Sequence, residues 1–392
     1  MHLKNVKRDW FVLACLTFCF SFGFAIYNGV FQNFIKDIFH AGPEKLGVLE
    51  SLREVPGLLV VFVAASLVAL SERHLASVAL LVFAAGVGLS GEAHSYWQLV
   101  GLTVLWSVGG HLWFSVSPSI TLALSEGQDG GKRLGQMGSV GAAAVLLALL
   151  FTRIVKQYLS YAALFRLAGA VLVVAAGLCL LLSRHTHSGK RRSLVYRREY
   201  RLYYLLTFLE GCRRQIFGTF ASFVLISAFG VPVTTMVTLA LVNAVVGMLA
   251  NPLIGRMIDL HGERKMLTIY YTAVTFIFVG YTVFNSVHSL FGLYMVDNLM
   301  FGFAMGITTY LHKIVRPGEL TPSLTMGTTM NHVAAVVMPV TGGILWKTMG
   351  NYRIPFYIGL VVVIVSLGVT QLLTERRLPT QRGREAAAAG RN

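Results

Sequence analysis

Apolar stretches long enough to cross a lipid bilayer alternate with short polar segments along almost the whole chain. Because a helix rises about 1.5 Å per residue, roughly 20 apolar residues span a hydrocarbon core of about 30 Å. Inside lipid a helix satisfies all of its own backbone hydrogen bonds. We therefore predict an all-α, polytopic membrane protein with twelve transmembrane helices. The predicted spans are residues 10–33, 46–70, 75–92, 97–123, 134–154, 160–183, 203–227, 233–257, 266–286, 289–312, 323–346 and 354–374.

The longest polar interruption separates six spans from six spans. It runs from Arg184 to Arg201 and is rich in lysine and arginine. Gly29–Phe34 matches Gly218–Phe223, and later runs of small residues match at nearly the same offset. Such matches predict a parallel internal repeat. The predicted parts are a six-helix bundle at 1–183, a basic cytoplasmic linker at 184–202, a second six-helix bundle at 203–375 and a disordered cytoplasmic tail at 376–392.

The composition fits this class and excludes others. Of the 392 residues, 13% are charged, whereas a soluble domain carries about 25%. Most of the 33 lysines and arginines fall on one side of the predicted spans, which by the positive-inside rule places both termini in the cytoplasm. We expect a bacterial inner-membrane protein whose net charge of +16 reflects topology and contact with anionic lipid, with no nucleic-acid partner.

The sequence offers no chemistry for catalysis. It contains no G-x-x-x-x-G-K-(S/T) loop, which nucleotide hydrolysis would require, and no nucleophile motif at a credible position. We therefore predict that the protein is not an enzyme and needs no cofactor. Transport would then be driven by an ion gradient or by the gradient of the solute itself.

The loop after the eighth span carries the most specific motif of the chain. It reads Gly-Arg-Met-Ile-Asp-Leu-His-Gly-Glu-Arg-Lys from Gly255 to Lys265. This segment resembles the G-x-x-x-D-(R/K)-x-G-(R/K)-(R/K) signature of the major facilitator superfamily, with Leu260 and Glu263 in place of two basic residues. The resemblance extends along the whole chain in span count, paired halves and basic linker.

The resemblance implies two six-helix bundles around a central cavity, with spans 1, 4, 7 and 10 lining it. It also implies that Asp259 helps to hold the inner gate closed. A carboxylate and basic residues at helix ends can pair with helix dipoles and with each other, which would bias one gate state. The residues that we assign to this gate are Gly255, Asp259, Gly262, Arg264 and Lys265.

Three charged residues interrupt the seventh span: Glu210, Arg213 and Arg214. They fall near the middle of the membrane, where a charge that faces lipid costs at least ~2.5–3.5 kcal/mol, so they must face protein or water. Glu210 precedes the arginines by three and four residues, which places all three on one helix face. Since an arginine fork suits a carboxylate or phosphate, we predict that Arg213 or Arg214 binds an anionic or zwitterionic solute.

The alternative for these arginines is a structural ion-pair network with Glu50, Glu54 or Asp297, which would cancel their charge. Polar residues of the other spans complete the predicted substrate site. They are Asn28 and Gln32 on span 1, His111 on span 4, Asp297 and Asn298 on span 10, and His332 on span 11.

On span 2, Glu50 and Glu54 flank Arg53 on one helix face. One carboxylate can pair with Arg53, and the other could carry a coupling proton. Asp297 and Glu210 are competing proton carriers. The alternative is that Arg53 and these glutamates form an outer-gate salt bridge without proton exchange.

A second interpretation of the function rests on the methionine thioethers of span 11. Met326 and Met330 stand one helical turn apart beside His332 on span 11, and thioether and imidazole ligands suit copper(I) or another soft metal. This alternative makes the protein a transporter of a metal or metal chelate. A third alternative is a non-transporting membrane sensor or scaffold that uses the basic linker for docking.

Our main prediction is a monomeric secondary active transporter of the major facilitator type. It would move a small anionic or amphipathic organic solute by alternating access, driven by protons, with export favoured over uptake.

Overall fold

The computed structural model describes residues 2–66, 71–125, 130–183, 196–316 and 319–374. These residues form helices and no β-strand, which confirms the predicted all-α class. Residues 184–195 of the predicted linker and the whole predicted tail at 376–392 lie outside the described residues. The helices are α1 (His2–Phe39), α2 (Pro43–Ser66), α3 (Glu72–Leu89), α4 (Tyr96–Leu124), α5 (Gly130–Val155), α6 (Tyr161–Leu181), α7 (Arg201–Ser227), α8 (Val233–His261), α9 (Glu263–Val283), α10 (Val287–Met300), α11 (Met305–Ile314), α12 (Leu320–Met349) and α13 (Ile354–Thr370).

Eight helical segments in the described part of the chain are long and apolar enough to cross a membrane, and α13 is a shorter apolar helix. The helices α2 and α7 fall outside that set and carry clustered charged residues, and α12, also outside it, carries many polar residues in its first half. Each of the twelve predicted spans nevertheless corresponds to a helix or helix pair. The hydrophilic spans are therefore the ones that must face each other or a cavity, rather than lipid.

The tenth predicted span is broken. It consists of α10, a 3₁₀ turn at Phe301–Ala304 and α11. Gly302 lies in this turn so close to α8 that a Cβ atom would come 2.5 Å from Oδ1 of Asn251. A larger residue at position 302 would require the Asn251 side chain to move, and the sequence pattern did not predict the break in this span.

The helices form two bundles, and their buried apolar side chains make up one continuous core cluster. In the first, α1 packs against α5 and α6, and α3 packs against α4 and α6. In the second, α7 packs against α12 and α13, and α9 packs against α10 and α13. Small residues permit close helix contacts: a Cβ on Gly109 of α4 would lie 2.3 Å from the carbonyl oxygen of Ala79 on α3.

The bundles meet mainly through α2 and α12. We call the end of the molecule where α1 and α7 begin the linker end. At the other end, a Cβ on Gly47 would lie 2.2 Å from the carbonyl oxygen of Pro339. A Cβ on Gly343 would lie 2.3 Å from that of Pro43. The two helix backbones are thus in direct contact there.

Further contacts between the bundles also lie toward this opposite end. The Arg153 guanidinium of α5 donates to the Thr238 hydroxyl of α8 at 2.9 Å, and the Asn33 amide of α1 donates to the Val231 carbonyl at 3.4 Å. Toward the linker end, no glycine of the described residues makes such a close backbone approach to the other bundle. We call the end opposite the linker, where the two bundles touch, the closed end; a surface cavity of about 600 Å³ lies beside these contacts.

A polar anchor holds the last part of the linker on the second bundle. Arg197 Nε donates to both carboxylate oxygens of Glu319 at 2.8 and 2.7 Å, and the Tyr200 hydroxyl donates to Glu319 at 2.8 Å. Tyr200 also accepts a hydrogen bond from the Arg316 backbone N–H at 3.0 Å. The Arg197 guanidinium, and then the Tyr200 hydroxyl, hold the pKa of Glu319 below its usual range.

This lowered pKa fixes the pH dependence of the anchor. Because ionised Glu319 is stabilised in the folded state, the anchor is complete above the usual pKa of glutamate and is lost as pH falls through the lowered value. We expect Glu319→Gln to accelerate amide hydrogen exchange severalfold at residues 198–201 at neutral pH. Glu199→Gln is the matched control, since its pair with Arg316 is more than half exposed and should matter less. Equal exchange in both variants would contradict this assignment.

Candidate functional site

A central cavity of about 390 Å³ lies between α1, α2, α7 and α8. It brings together six residues that the sequence singled out: Asn28, Gln32, Glu50, Arg53, Glu54 and Arg214. Amide and hydroxyl side chains from α7 complete its wall, and these were not predicted: Gln215, Thr219 and Ser222. The Ser222 hydroxyl donates to Oε1 of Gln32 at 2.7 Å, so side chains of the two bundles meet inside the cavity.

A second cavity of about 580 Å³ continues from this one toward the linker end. Tyr203 and Leu324, near the beginnings of α7 and α12, line its far part. Of the predicted site residues it contains Glu210, Arg214, Asn298 and His332. Asn251, Asn331, Thr207 and Thr328 add further polar groups. Arg214 lines both cavities and stands where they join.

Arg213, in contrast, points into the second bundle. Its side chain is fully buried, and its guanidinium Nη1 donates to both oxygens of Asp297 at 2.9 Å. Nη2 donates to Glu210 at 3.1 Å and to the Tyr270 hydroxyl at 2.6 Å. Arg213 lines neither cavity, and its contacts match the alternative prediction of a structural ion-pair network. Asp297 is its partner, whereas Glu50 and Glu54 pair elsewhere.

Two tyrosines of α9 belong to the same cluster. Tyr270 and Tyr271 donate hydrogen bonds to the two oxygens of Glu210 at 2.8 and 3.3 Å. The sequence analysis did not include them because the ninth span is not among the spans expected to line the cavity. The cluster combines one positive charge, two carboxylates and two tyrosine hydroxyls.

Arg214 has a different environment one residue later. Its side chain is exposed to the cavities, and Nη2 donates to the Asn331 amide oxygen at 2.9 Å. Among the described residues that line the two cavities, Arg214 is the one cation without a carboxylate partner. Because an asparagine leaves its charge unneutralised, Arg214 is available to an anionic group.

A second charged cluster lies in the first bundle. Arg53 Nη2 is 2.8 Å from Glu50 and 2.8 Å from Glu54, and the guanidinium stacks 5.7 Å from the ring of Trp106. One positive charge again faces two carboxylates. Both predicted readings of span 2, as a proton carrier and as a gate salt bridge, are compatible with this geometry.

Two predicted histidines meet at the bundle interface. His332 Nδ1 of α12 lies 3.1 Å from Oε2 of Glu54 on α2, so this pair joins the two bundles. The rings of His332 and His111 of α4 are 4.9 Å apart between centroids. Met326 and Met330, the predicted soft-metal ligands, instead pack in part against the hydrophobic core.

The motif after span 8 forms the α8–α9 connection. Gly262 has a φ of +84°, a conformation that glycine adopts without strain. Asp259, Arg264 and Lys265 are exposed, and Asp259 has no partner among the described residues. The structure thus shows no partner for a latch at Asp259 among the described residues, and the gate role of Asp259 stays a prediction. Gly255 lies within α8, facing α11.

Glu263, which departs from the family signature, forms a contact that was not predicted. Its carboxylate lies 2.7 Å from the ammonium of Lys313, near the end of α11. This pair joins the start of α9 to the end of the broken tenth span. The pair lies within the second bundle.

Comparison with solved structures identifies the fold. A point mutant of the nucleoside transporter NupG superposes with a TM-score of 0.78 at 12% identity, covering 95% of this chain and 100% of the other. A bacterial homologue of the iron transporter ferroportin in an inward-facing state gives 0.76 at 15%, covering 94% and 99%. The fucose:proton symporter FucP of E. coli gives 0.61 at 14%, covering 95% and 100%.

No curated protein matches the chain in sequence. The family model of the Major Facilitator Superfamily matches residues 13–198 and 203–391, so it covers both bundles. The matched range, the two six-span halves and the inter-bundle cavity agree with one another. The chain belongs to the Major Facilitator Superfamily and is a multi-pass membrane transporter, not an enzyme.

Proposed function

We propose that this transporter moves a small, polar organic anion through the cavity between its bundles, coupled to protons. The observation that carries the proposal is Arg214, a cation without a carboxylate partner at the junction of the two cavities. A carboxylate or phosphate of the solute would replace Asn331 as its partner or share it. The surrounding amides and hydroxyls suit a solute that also carries hydroxyl or carbonyl groups.

The proposal reassigns the two arginines of the seventh span. Arg213 is neutralised by Glu210 and Asp297 and would shape α7 rather than touch the solute. Asn28 and Gln32 would contact the solute from the first bundle, and Asn298 from the second. Contacts from both bundles would let the bound solute favour the change between open states.

Proton coupling would centre on Glu54. Glu50 and Glu54 share one arginine, so the cluster holds one carboxylate more than Arg53 can neutralise, and a proton can cancel that excess charge. Glu54 also contacts His332 across the bundle interface, a contact that opening of the opposite end would break. Its proton affinity would therefore change with the state of the transporter, as coupling requires.

The solved relatives give a precedent for coupling but not for the cargo. FucP is a fucose:proton symporter, NupG a nucleoside transporter, and the third is related to an iron transporter. We place the linker end in the cytoplasm from the distribution of basic residues, which would place the closed end on the outer side of the membrane. Export stays a prediction.

Transport by proteoliposomes with an imposed pH gradient tests the coupling. The solute is first identified among labelled organic acids that stabilise the purified protein. We expect Glu54→Gln to transport the solute down its own concentration gradient. The factor by which the pH gradient raises the transport rate should fall at least tenfold in this variant. Asp297→Asn is the control and should keep that acceleration. Full pH-gradient dependence in Glu54→Gln would contradict the assignment.

A further inference from the structure

Three side chains with metal-binding chemistry meet where the two bundles touch. Glu54 comes from α2, His111 from α4 and His332 from α12, and one ligand atom of each lies within 4.8 Å of the others. The rings pack over Gly57, where a Cβ would come 2.5 Å from Nε2 of His111 and 2.5 Å from Cε1 of His332. The absence of a side chain at residue 57 therefore leaves the room in which both imidazoles sit.

Hydrogen bonding prepares His111 as a ligand. Its Nδ1 lies 2.9 Å from the backbone carbonyl oxygen of Ser107. A carbonyl can only accept, so Nδ1 carries the proton and Nε2 keeps its lone pair. Nε2 has no hydrogen-bond partner among the described residues and is the atom that faces the cluster. Metal-bound histidines are commonly oriented by a backbone carbonyl in this way.

The local charge also suits a cation. Arg53 contributes one positive charge, and Glu50 and Glu54 contribute two negative ones, so the group has a net charge of −1 when the histidines are neutral. Glu54 divides its oxygens between the two sides: Oε1 accepts from Arg53 at 2.8 Å, and Oε2 faces His332 at 3.1 Å. The oxygen that faces the histidines is thus free of the arginine.

We propose that Glu54, His111 and His332 bind a divalent transition-metal ion of the zinc class, and that this ion clamps the transporter in the state described here. Two imidazoles and a carboxylate with one open position are a common zinc ligand set, with water as the fourth ligand. With metal–ligand bonds of about 2.1 Å, tetrahedral ligands stand roughly 3.4 Å apart, so two ligand atoms at the 4.8 Å limit must approach each other by about 1.4 Å.

The proposed clamp follows because the three ligands come from both bundles. Glu54 and His111 belong to the first bundle and His332 to the second, so a bound ion links bundles that must separate when the opposite end opens. Bound metal would therefore stabilise the closed contact between α2 and α12 by mass action. This site is distinct from a soft-metal cargo site at Met326 and Met330, and it does not depend on the proposed organic substrate.

Titration of Zn²⁺ into the purified, tag-free protein tests the binding. We expect one Zn²⁺ per chain by calorimetry, and at least tenfold weaker binding in each of Glu54→Gln, His111→Gln and His332→Gln. Two exposed histidines outside the cluster give the matched controls, His261→Gln and His312→Gln, which should bind like the wild type. Thermal melting of each variant without metal identifies any that fail to fold.

For a variant that fails to fold, Gly57→Ala replaces it, since this change crowds both rings without removing a ligand. Co²⁺ is the second probe, because its visible absorption reports nitrogen and oxygen ligands in a tetrahedral site. Zn²⁺ affinity that is unchanged in the cluster variants, or lost in the control variants instead, would overturn the site.

A distance measurement between two spin labels tests the clamp separately. Spin labels at His94→Cys and Ser286→Cys, one on each bundle at the end opposite the linker, are introduced after replacement of the four native cysteines. We expect Zn²⁺ to raise the ratio of short to long label separations at least threefold. His332→Gln should abolish this increase. An unchanged distribution with Zn²⁺ bound would overturn the clamp even if the site is correct, and neither outcome depends on transport of an organic anion.

Discussion

Arg213→Ala is expected to destabilise the purified protein strongly, whereas Arg214→Ala is expected to leave its stability nearly unchanged. Arg213 is fully buried and neutralises Glu210 and Asp297, so its removal leaves two buried carboxylates without a counter-ion. Breaking such a buried pair costs about 3–5 kcal/mol. Arg214 is exposed and bonds only to Asn331, so its removal leaves no buried charge.

Thermal melting in detergent measures both variants under identical conditions. Solute binding separates the two alanine variants in a second way, because Arg214→Ala should keep its fold but lose solute binding. Arg213→Met, which retains much of the side-chain volume, separates loss of charge from loss of packing. Equal melting temperatures for the two alanine variants would show that the buried network does not stabilise the second bundle.

The second large effect concerns the closed end. Gly47→Ala and Gly343→Ala should each shift the transporter away from the present state, since the added Cβ would lie 2.2 or 2.3 Å from a backbone carbonyl oxygen of the other bundle. Backbone cannot move aside locally, so α2 and α12 must separate. Overpacking of this kind costs about 1–3 kcal/mol, which corresponds to roughly a fivefold to 150-fold change in the population ratio.

The label pair at His94→Cys and Ser286→Cys measures this shift as a longer distance at the closed end. Gly177→Ala is the matched control, because a Cβ at this glycine of α6 meets nothing within 4 Å. Transport should fall in both interface variants and stay normal in the control. A short distance retained in Gly343→Ala would mean that this glycine contact does not set the closed state.

The sequence predicted the class and the region of the site better than the role of each residue. The charges of the seventh span led correctly to a helix that lines a cavity. Arg213 and Arg214 are adjacent in sequence, however, and about 100° apart on a helix, so they face different neighbours. Which one meets α9 and α10, and which one meets the cavity, is decided by packing between helices that are distant in sequence.

The histidines illustrate the same limit. His111 and His332 were each recognised as polar residues inside spans, but nothing in the sequence indicated that they touch each other. Their meeting depends on α2 and α12 approaching through Gly47 and Gly343, and on the space above Gly57. Glycines that permit backbone contact resemble the many other glycines of membrane helices, so their partners become visible only in the folded structure.

The central claim is that Arg214 supplies the positive charge that selects an anionic solute. It is tested most directly by a thermal-shift panel of metabolites in matched anionic and neutral forms, with wild-type protein and Arg214→Gln side by side. We expect anionic members to stabilise the wild type and Arg214→Gln to lose this stabilisation, while the melting temperature of the variant without solute stays close to that of the wild type. Stabilisation by neutral members, retained in full by Arg214→Gln, would contradict the central claim.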